Sequence, residues 1–278
     1  MTNIHPLAVV STRASIAVDV RIGPFCVVED DVAIGRGCTL ASGAVVKSGT
    51  TLGENNHVGE GAVLGGSPQH VSLPGEGRLV IGDGNTFREH VTIHRSLKAG
   101  RATIVGNENL FMVNAHVAHD CRVGDSTVLV NNVMLGGHVA IGDRAILAGA
   151  VGIHQHCRVG RLAMLGGQAA VKKDIPPFMM VDDATSKLVG LNLVGLRRAG
   201  YSRDAIRQLK DAYRLIYRSG LAWAEVQVRL AADFPEGPAA ELREFFAGGT
   251  RGFTPARREV EPVTIKLLEE PEELRKAG

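Results

Sequence analysis

Among the 10 histidines of this 278-residue chain, His119, His138 and His154 have a spacing with chemical meaning. Imidazoles titrate near neutral pH, so a group of them can carry protons or ligate a metal. The spacing takes its meaning from a second pattern. An apolar side chain recurs every six residues from Val10 to Leu64, and again from Val105 to Val171. A sustained period of six is the signature of a hexapeptide parallel β-helix, in which three steps close one 18-residue coil. Counted from Val105, His119 has offset 14. His138 has offset 15 from Val123, and His154 has offset 13 from Ile141. Consecutive coils therefore present these three histidines along one edge. None occupies an inward column, because side chains alternate along a strand. His116 lies between the inward positions Ala115 and Val117, so it also faces out.

Two chemistries fit such an edge. One is a general base with substrate-binding neighbours. The other is a three-histidine zinc site, as in carbonic anhydrases built on hexapeptide β-helices. A non-catalytic solenoid scaffold is the third reading.

The elements that must hold these residues follow from the repeat. Each coil stacks on the last at strand spacing, about 4.8 Å, and stability comes from stacking. Glycine often follows the aliphatic, as in Ile34-Gly35 and Val123-Gly124, and suits corners where the chain turns tightly. Cys26, Cys38, Cys121 and Cys157 all fall two residues before a repeat aliphatic, which predicts four small buried thiols without disulfides. The period breaks twice. Gly65 to Gly77 is loop-like, and around Ala99 the count holds but the aliphatic is missing. Loops that leave a regular solenoid are natural places for function.

After Val171 the pattern changes. Ser202 is a candidate N-cap for a helix through Arg218, with Gly220 as the stop. Further helices are expected over Trp223–Ala232 and Ala239–Phe246. The chain thus divides into a β-helix over 1–185, a helical domain over 186–250, and a poorly ordered tail over 251–278.

A net charge of +2 does not point to nucleic acid. No apolar stretch is long enough to span a bilayer, and the N-terminus lacks a secretion signal. A cytoplasmic protein with no stable membrane insertion is the expectation.

One segment, Asn114-Ala115-His116-Val117-Ala118-His119-Asp120-Cys121, resembles the active-site run of the acyl-[acyl-carrier-protein]–UDP-N-acetylglucosamine O-acyltransferases of lipid A synthesis. Further matches are Thr92 to Arg95, Leu135 to His138, Gly152 to Gln155, Asp174 to Pro177, Gly195 to Ser202 and Ala212 to Gly220. The resemblance covers residues 1 to about 253. It implies a left-handed parallel β-helix with a C-terminal helical domain, assembled as a homotrimer with sites between neighbouring prisms. It implies transfer of a 3-hydroxyacyl group from acyl carrier protein, through its phosphopantetheine thioester, to the 3-hydroxyl of the sugar. No metal and no resident cofactor are implied.

By this resemblance His119 is the general base, Asp120 orients it, and the Gly137 N–H is the oxyanion donor. Adjacent strand residues point to opposite faces, so the His119–Asp120 pairing requires a corner. His138 would contact the sugar, with His116, His154 and Gln155 lining the cleft. Asn192 and Arg198 match nucleotide-holding positions, and Gly167 the position that limits the acyl pocket. The sequence departs from the family pattern at four places. His70 and Ser72 stand where an Asp and a Lys are common in the sugar-binding insert. Val194 and Ala199 stand where a Glu and a second Arg are usual. Lys98 is a candidate replacement for the missing cation. These departures leave a 3-amino UDP-sugar as an alternative acceptor.

Overall fold

Each six-residue step contributes one short strand, and every third strand stacks on the same wall. Residues 2–71 and 75–257 are described in the computed structural model. The strands form three sheets of eleven, nine and eight strands. Pairing is parallel through the coils, as in Val117↔Leu135 and Ile153↔Val171. The coils end in an antiparallel pair, Met179–Val181 with Leu188–Leu191. The walls enclose an interior of aliphatics, small residues and the stacked pair Phe87–Phe111. This is a left-handed parallel β-helix with a small helical part after it.

All four cysteines are buried and free. The Cys121 thiol donates to the Gly136 carbonyl at 3.1 Å, and burial pushes its pKa up to about 12. Such a thiol is neither nucleophile nor metal ligand.

The corners differ from the expectation. Glycines such as Gly35 and Gly124 do not take positive φ; that conformation falls on a separate column at six-residue intervals, filled by glycine early in the chain (Gly37, Gly43, Gly49) and largely by polar residues later, such as Asn114, Asp120, Ser126, Asn132 and His138. Asp and Asn tolerate the left-handed region better than most residues. Gly35 and Gly124 serve a different need, which is close stacking. A Cβ on Gly35 would lie 2.4 Å from the Gly53 carbonyl oxygen in the next coil. On Gly124 it would lie 2.2 Å from Asp143 Oδ1.

Both flaws in the period are insertions at one corner. Leu52 pairs with Ile81, a step of 29 residues rather than 18, and Ile81 pairs with Val105, a step of 24. The second insertion adds 24 − 18 = 6 residues, so it keeps the hexad phase and leaves Ala99 in a loop. A buried ladder carries the register past both. Asn56 Oδ1 accepts from the Asn85 side chain, Asn85 Oδ1 from Asn109, and Asn109 Oδ1 from the Thr127 hydroxyl, at 2.7–2.9 Å. A buried amide left without these partners costs about 1–3 kcal/mol, so the ladder favours one register.

Four helices follow: α1 (Leu193–Arg198), α2 (Arg203–Arg218), α3 (Trp223–Asp233) and α4 (Pro238–Ala247). Ser202 caps α2, its hydroxyl accepting from Ala205 N at 3.1 Å. The last coils grip α4. Arg158 donates to the Phe245 and Gly248 carbonyls at 2.9 and 2.8 Å and to buried Asp174 at 2.7 Å. Arg161 pairs with Glu241 at 2.6 Å.

The start of the expected tail is packed, which corrects that reading for residues 251–257. Phe253 bridges to Asp174, Ala256 bridges to Leu188, and Phe253 sits against Phe246 at 4.5 Å. Phe253 and its aromatic neighbours supply the apolar contact that a disordered segment lacks. The rest of the tail, 258–278, lies outside the described residues.

Candidate active site

His119 and Asp120 sit where the nine-stranded wall ends and the chain turns. His119 follows the strand His116–Val117, and Asp120 has φ +60°. This left-handed residue swings the carboxylate back toward its neighbour, which a continuing strand could not do. His119 Nδ1 lies 2.8 Å from Asp120 Oδ2. The other oxygen, Oδ1, accepts from the Ser96 hydroxyl at 2.5 Å, and Oδ2 also accepts from Leu97 N at 3.3 Å. Burial works against ionisation of Asp120, but the bonds from Ser96, His119 and Leu97 outweigh it and hold its pKa below the usual range. An ionised Asp120 accepts from Nδ1–H and leaves Nε2 as the imidazole's proton acceptor.

Nε2 points at Gly137. A Cβ there would lie 2.7 Å from Nε2 and 2.6 Å from Cε1. The Gly136 N–H bonds to the Ile153 carbonyl, and the His138 N–H bonds to the His119 carbonyl. Among the described residues the Gly137 N–H between them bonds to neither backbone nor side chain, so the corner presents a donor beside the imidazole.

His116, His119, Gly137, His154 and Gln155 line one cavity of about 770 Å³, together with Gln69, His94 and Lys172. Its floor is apolar: Met134, Gly152 and Ala170 are successive outward residues of one wall. His70 lies beside it, its ring 6.5 Å from His119. Ser72 falls outside the described residues. His138 turns to the other flank of the corner and lines a second cavity of about 510 Å³ with Arg101, Asp120 and Arg122.

Several expectations need correction. The three-histidine row divides: His119 and His154 line one cavity and His138 the other, where it stacks on His156 with centroids 4.6 Å apart and planes 6° from parallel. The spacing 156 − 138 = 18 is one coil, so the repeat count finds this residue. Gly167 lies outside the His119 cavity and lines another with Gly149, Gln168, Asp183 and Ala184. Within this chain Asn192 also serves the fold. It caps α1 through Gly195 N and donates to the Leu162 carbonyl, both at 2.9 Å. Arg198 is exposed at the end of the same helix. Lys98 is not on the cavity wall; the cation there is Lys172. Among the described residues a zinc site of His119, His138 and His154 does not form. The atoms that converge, within 4.8 Å, belong to His119, Asp120 and His138. A metal there would displace the His119–Asp120 hydrogen bond.

Two further histidines are held neutral. His94 packs against His116 at 4.8 Å, and His116 shares a hydrogen bond of 2.8 Å with Thr92. Burial, then His116 and His119, lower the His94 pKa from 6.5 to about 4, and burial lowers that of His116. The unfolded chain takes up a proton at His94 below pH 6.5 that the native state refuses until about pH 4. Stability from this group is therefore complete above pH 6.5 and lost as pH falls to 4, by roughly 3 kcal/mol at 1.36 kcal/mol per pKa unit. Urea midpoints of wild type should fall across that window, and those of His94→Gln should fall less. Equal slopes would rule out this linkage.

Comparison with known proteins identifies the family. Residues 174–254 match the family model described as UDP N-acetylglucosamine O-acyltransferase, domain 2, and residues 13–48 match the bacterial transferase hexapeptide model. An acyl-[acyl-carrier-protein]–UDP-N-acetylglucosamine O-acyltransferase from Thermodesulfovibrio yellowstonii is 40% identical over 255 residues, covering 91% of this chain and 99% of that one. The Francisella novicida UDP-N-acetylglucosamine acyltransferase structure superposes with TM-score 0.87 at 36% identity, covering 92% of this chain and 95% of that one. The LpxA structure from Acinetobacter baumannii gives TM-score 0.85 at 39% identity, covering 90% and 99%. The chain belongs to the family of acyl-[acyl-carrier-protein]–UDP-N-acetylglucosamine O-acyltransferases.

Proposed function

We propose that this enzyme moves a 3-hydroxyacyl group from acyl carrier protein to the 3-hydroxyl of UDP-N-acetylglucosamine, the first step of lipid A biosynthesis. The observation that carries the mechanism is the His119–Asp120 bond of 2.8 Å, which leaves Nε2 facing Gly137. A sugar hydroxyl is a weak nucleophile at neutral pH, so a positioned base is required. His119 Nε2 takes the hydroxyl proton as oxygen attacks the thioester carbonyl. The Gly137 N–H donates to the oxyanion of the tetrahedral intermediate. The C–S bond then breaks, His119 Nε2 returns the proton to the leaving sulfur, and phosphopantetheine departs as the thiol. Asp120 stays ionised and stabilises the transient imidazolium, as in hydrolase triads.

The apolar floor of Met134, Gly152 and Ala170 suits an acyl chain, and Gly167 lies at a corner beside that wall. His70, Ser72, His116, His138, His154 and Gln155 are assigned to the acceptor. Asn192 and exposed Arg198 stand apart from His119 in this chain, so the nucleotide is assigned to these groups on a neighbouring copy in a homotrimer. Arg suits a diphosphate because its planar fork matches phosphate oxygens. The acyl group arrives activated as a thioester, so the reaction needs no resident cofactor or metal. No described helix is long and apolar enough to cross a membrane, and we place the enzyme in the cytoplasm, where acyl carrier protein is found.

The testing assay offers UDP-N-acetylglucosamine and its 3-amino analogue to the enzyme with several 3-hydroxyacyl carrier protein thioesters. Turnover of the hydroxyl acceptor is expected. Preference for the amino acceptor would move the assignment to amide formation, the alternative that the departures at His70, Ser72, Val194 and Ala199 leave open. Transfer to neither would sink the proposal.

A further inference from the structure

Ser96 lies in the six-residue insertion, outside the frame of the repeat, yet it is fully buried. Every polar atom of Ser96 has a partner. Its hydroxyl donates to Asp120 Oδ1 at 2.5 Å and accepts from Lys98 N at 3.3 Å. Its N–H donates to the Arg78 carbonyl, and its carbonyl accepts from Gly77 N, both at 3.1 Å. Glu76 N donates to the Leu97 carbonyl at 3.3 Å. The two insertions are thus joined to each other by backbone bonds. Gly77 permits this closure: a Cβ there would lie 2.5 Å from Ser96 Cβ and 2.6 Å from the Lys98 carbonyl oxygen.

We infer that Ser96 is a positioning residue for the acyl transfer, fixing the Asp120 carboxylate that fixes His119, and tying both to the loop that carries Gln69 and His70. The inference rests on His119 being the base. Besides His119, Asp120 is anchored by Thr103, Ser96 and, at longer range, Leu97. Thr103 Oγ1 holds its backbone N–H at 2.8 Å, and Ser96 holds the carboxylate against rotation about Cβ–Cγ. Without the Ser96 hydroxyl, Oδ1 loses its side-chain donor, and the carboxylate keeps, besides His119 itself, the long Leu97 N contact of 3.3 Å and His138 Nε2 at 3.9 Å, both on Oδ2. The carboxylate then swings, Nδ1 loses its fixed acceptor, and the imidazole is no longer held in one tautomer and orientation. The insertion that carries Ser96 also pairs with the strand leaving the Gly65–Gly77 loop, so displacement of one insertion reaches the dyad through a single hydroxyl.

The test is Ser96→Ala in the full-length enzyme, assayed beside wild type. Expected is a kcat lower by about 10- to 100-fold, the factor carried by one hydrogen bond to a charged group, with KM for the UDP-sugar within about twofold. The low-field proton resonance of His119 Nδ1, identified by its loss in His119→Ala, should shift or broaden. A Ser96→Ala enzyme with wild-type kcat, or with a wild-type Nδ1 resonance, overturns the inference. If Ser96→Ala does not fold, Ser96→Gly, which removes the same hydroxyl with less volume, is read by the same two measurements. A wild-type enzyme that transfers no acyl group would instead count against the proposed function, and the resonance still decides whether Ser96 positions the dyad.

Discussion

His119→Ala is expected to lower kcat by about 10²–10⁴-fold, the range a positioned general base contributes, while the protein stays folded. The imidazole lies outside the β-helix interior, and its side chain is 14% exposed. Its removal takes one hydrogen bond from Asp120, which keeps Ser96 and Leu97 as donors. The stability change should therefore be about 1 kcal/mol, read as a small shift in the thermal midpoint. KM for the sugar nucleotide should change little, because a base acts in the transition state more than in the ground state. A His119→Ala enzyme with near-wild-type kcat would remove the base assignment. A large loss of stability without a separate kinetic defect would give His119 a structural role instead.

The repeat made much of this site legible, and the reason is geometric. In a solenoid the distance between two residues depends on their offsets within the coil, so counting replaces folding. Counting places His119 and His138 at one corner, where their rings are 5.2 Å apart. The same arithmetic reaches His156, which shares the offset of His138. It stops at the insertions. Ser96 belongs to a segment of six extra residues that leaves the period intact, so neither its burial nor its bond to Asp120 has a periodic signature. The pairing of His119 with Asp120 came from the family resemblance and not from the repeat, because it depends on one positive φ and a short polar residue at a corner looks like any other turn. Asn192 shows the converse. Its side chain is a helix cap that reaches back to Leu162, a contact 30 residues away with no local pattern to announce it.

Gly137→Ala should be nearly as damaging as loss of the base, for a reason the backbone makes specific. Gly137 is not among the positive-φ positions, so alanine meets no conformational strain there. The collision is with the imidazole alone, at 2.6 Å from Cε1 and 2.7 Å from Nε2. The ring cannot retreat freely, because Nδ1 is tied to Asp120 and Asp120 to Ser96. The new methyl must therefore tilt His119 out of line and intrude where the thioester carbonyl meets the Gly137 N–H. A kcat lower by about 10²–10³-fold is expected, the size of losing one oxyanion donor, with a near-normal thermal midpoint. In a His119→Ala background the collision partner is gone, and the same substitution should cost markedly less. Such non-additivity marks residues that act as a unit. Equal factors in both backgrounds would mean that the methyl acts on the oxyanion site alone. A Gly137→Ala enzyme at wild-type kcat would mean that the imidazole yields without penalty, and that the Asp120–Ser96 support holds nothing the reaction needs.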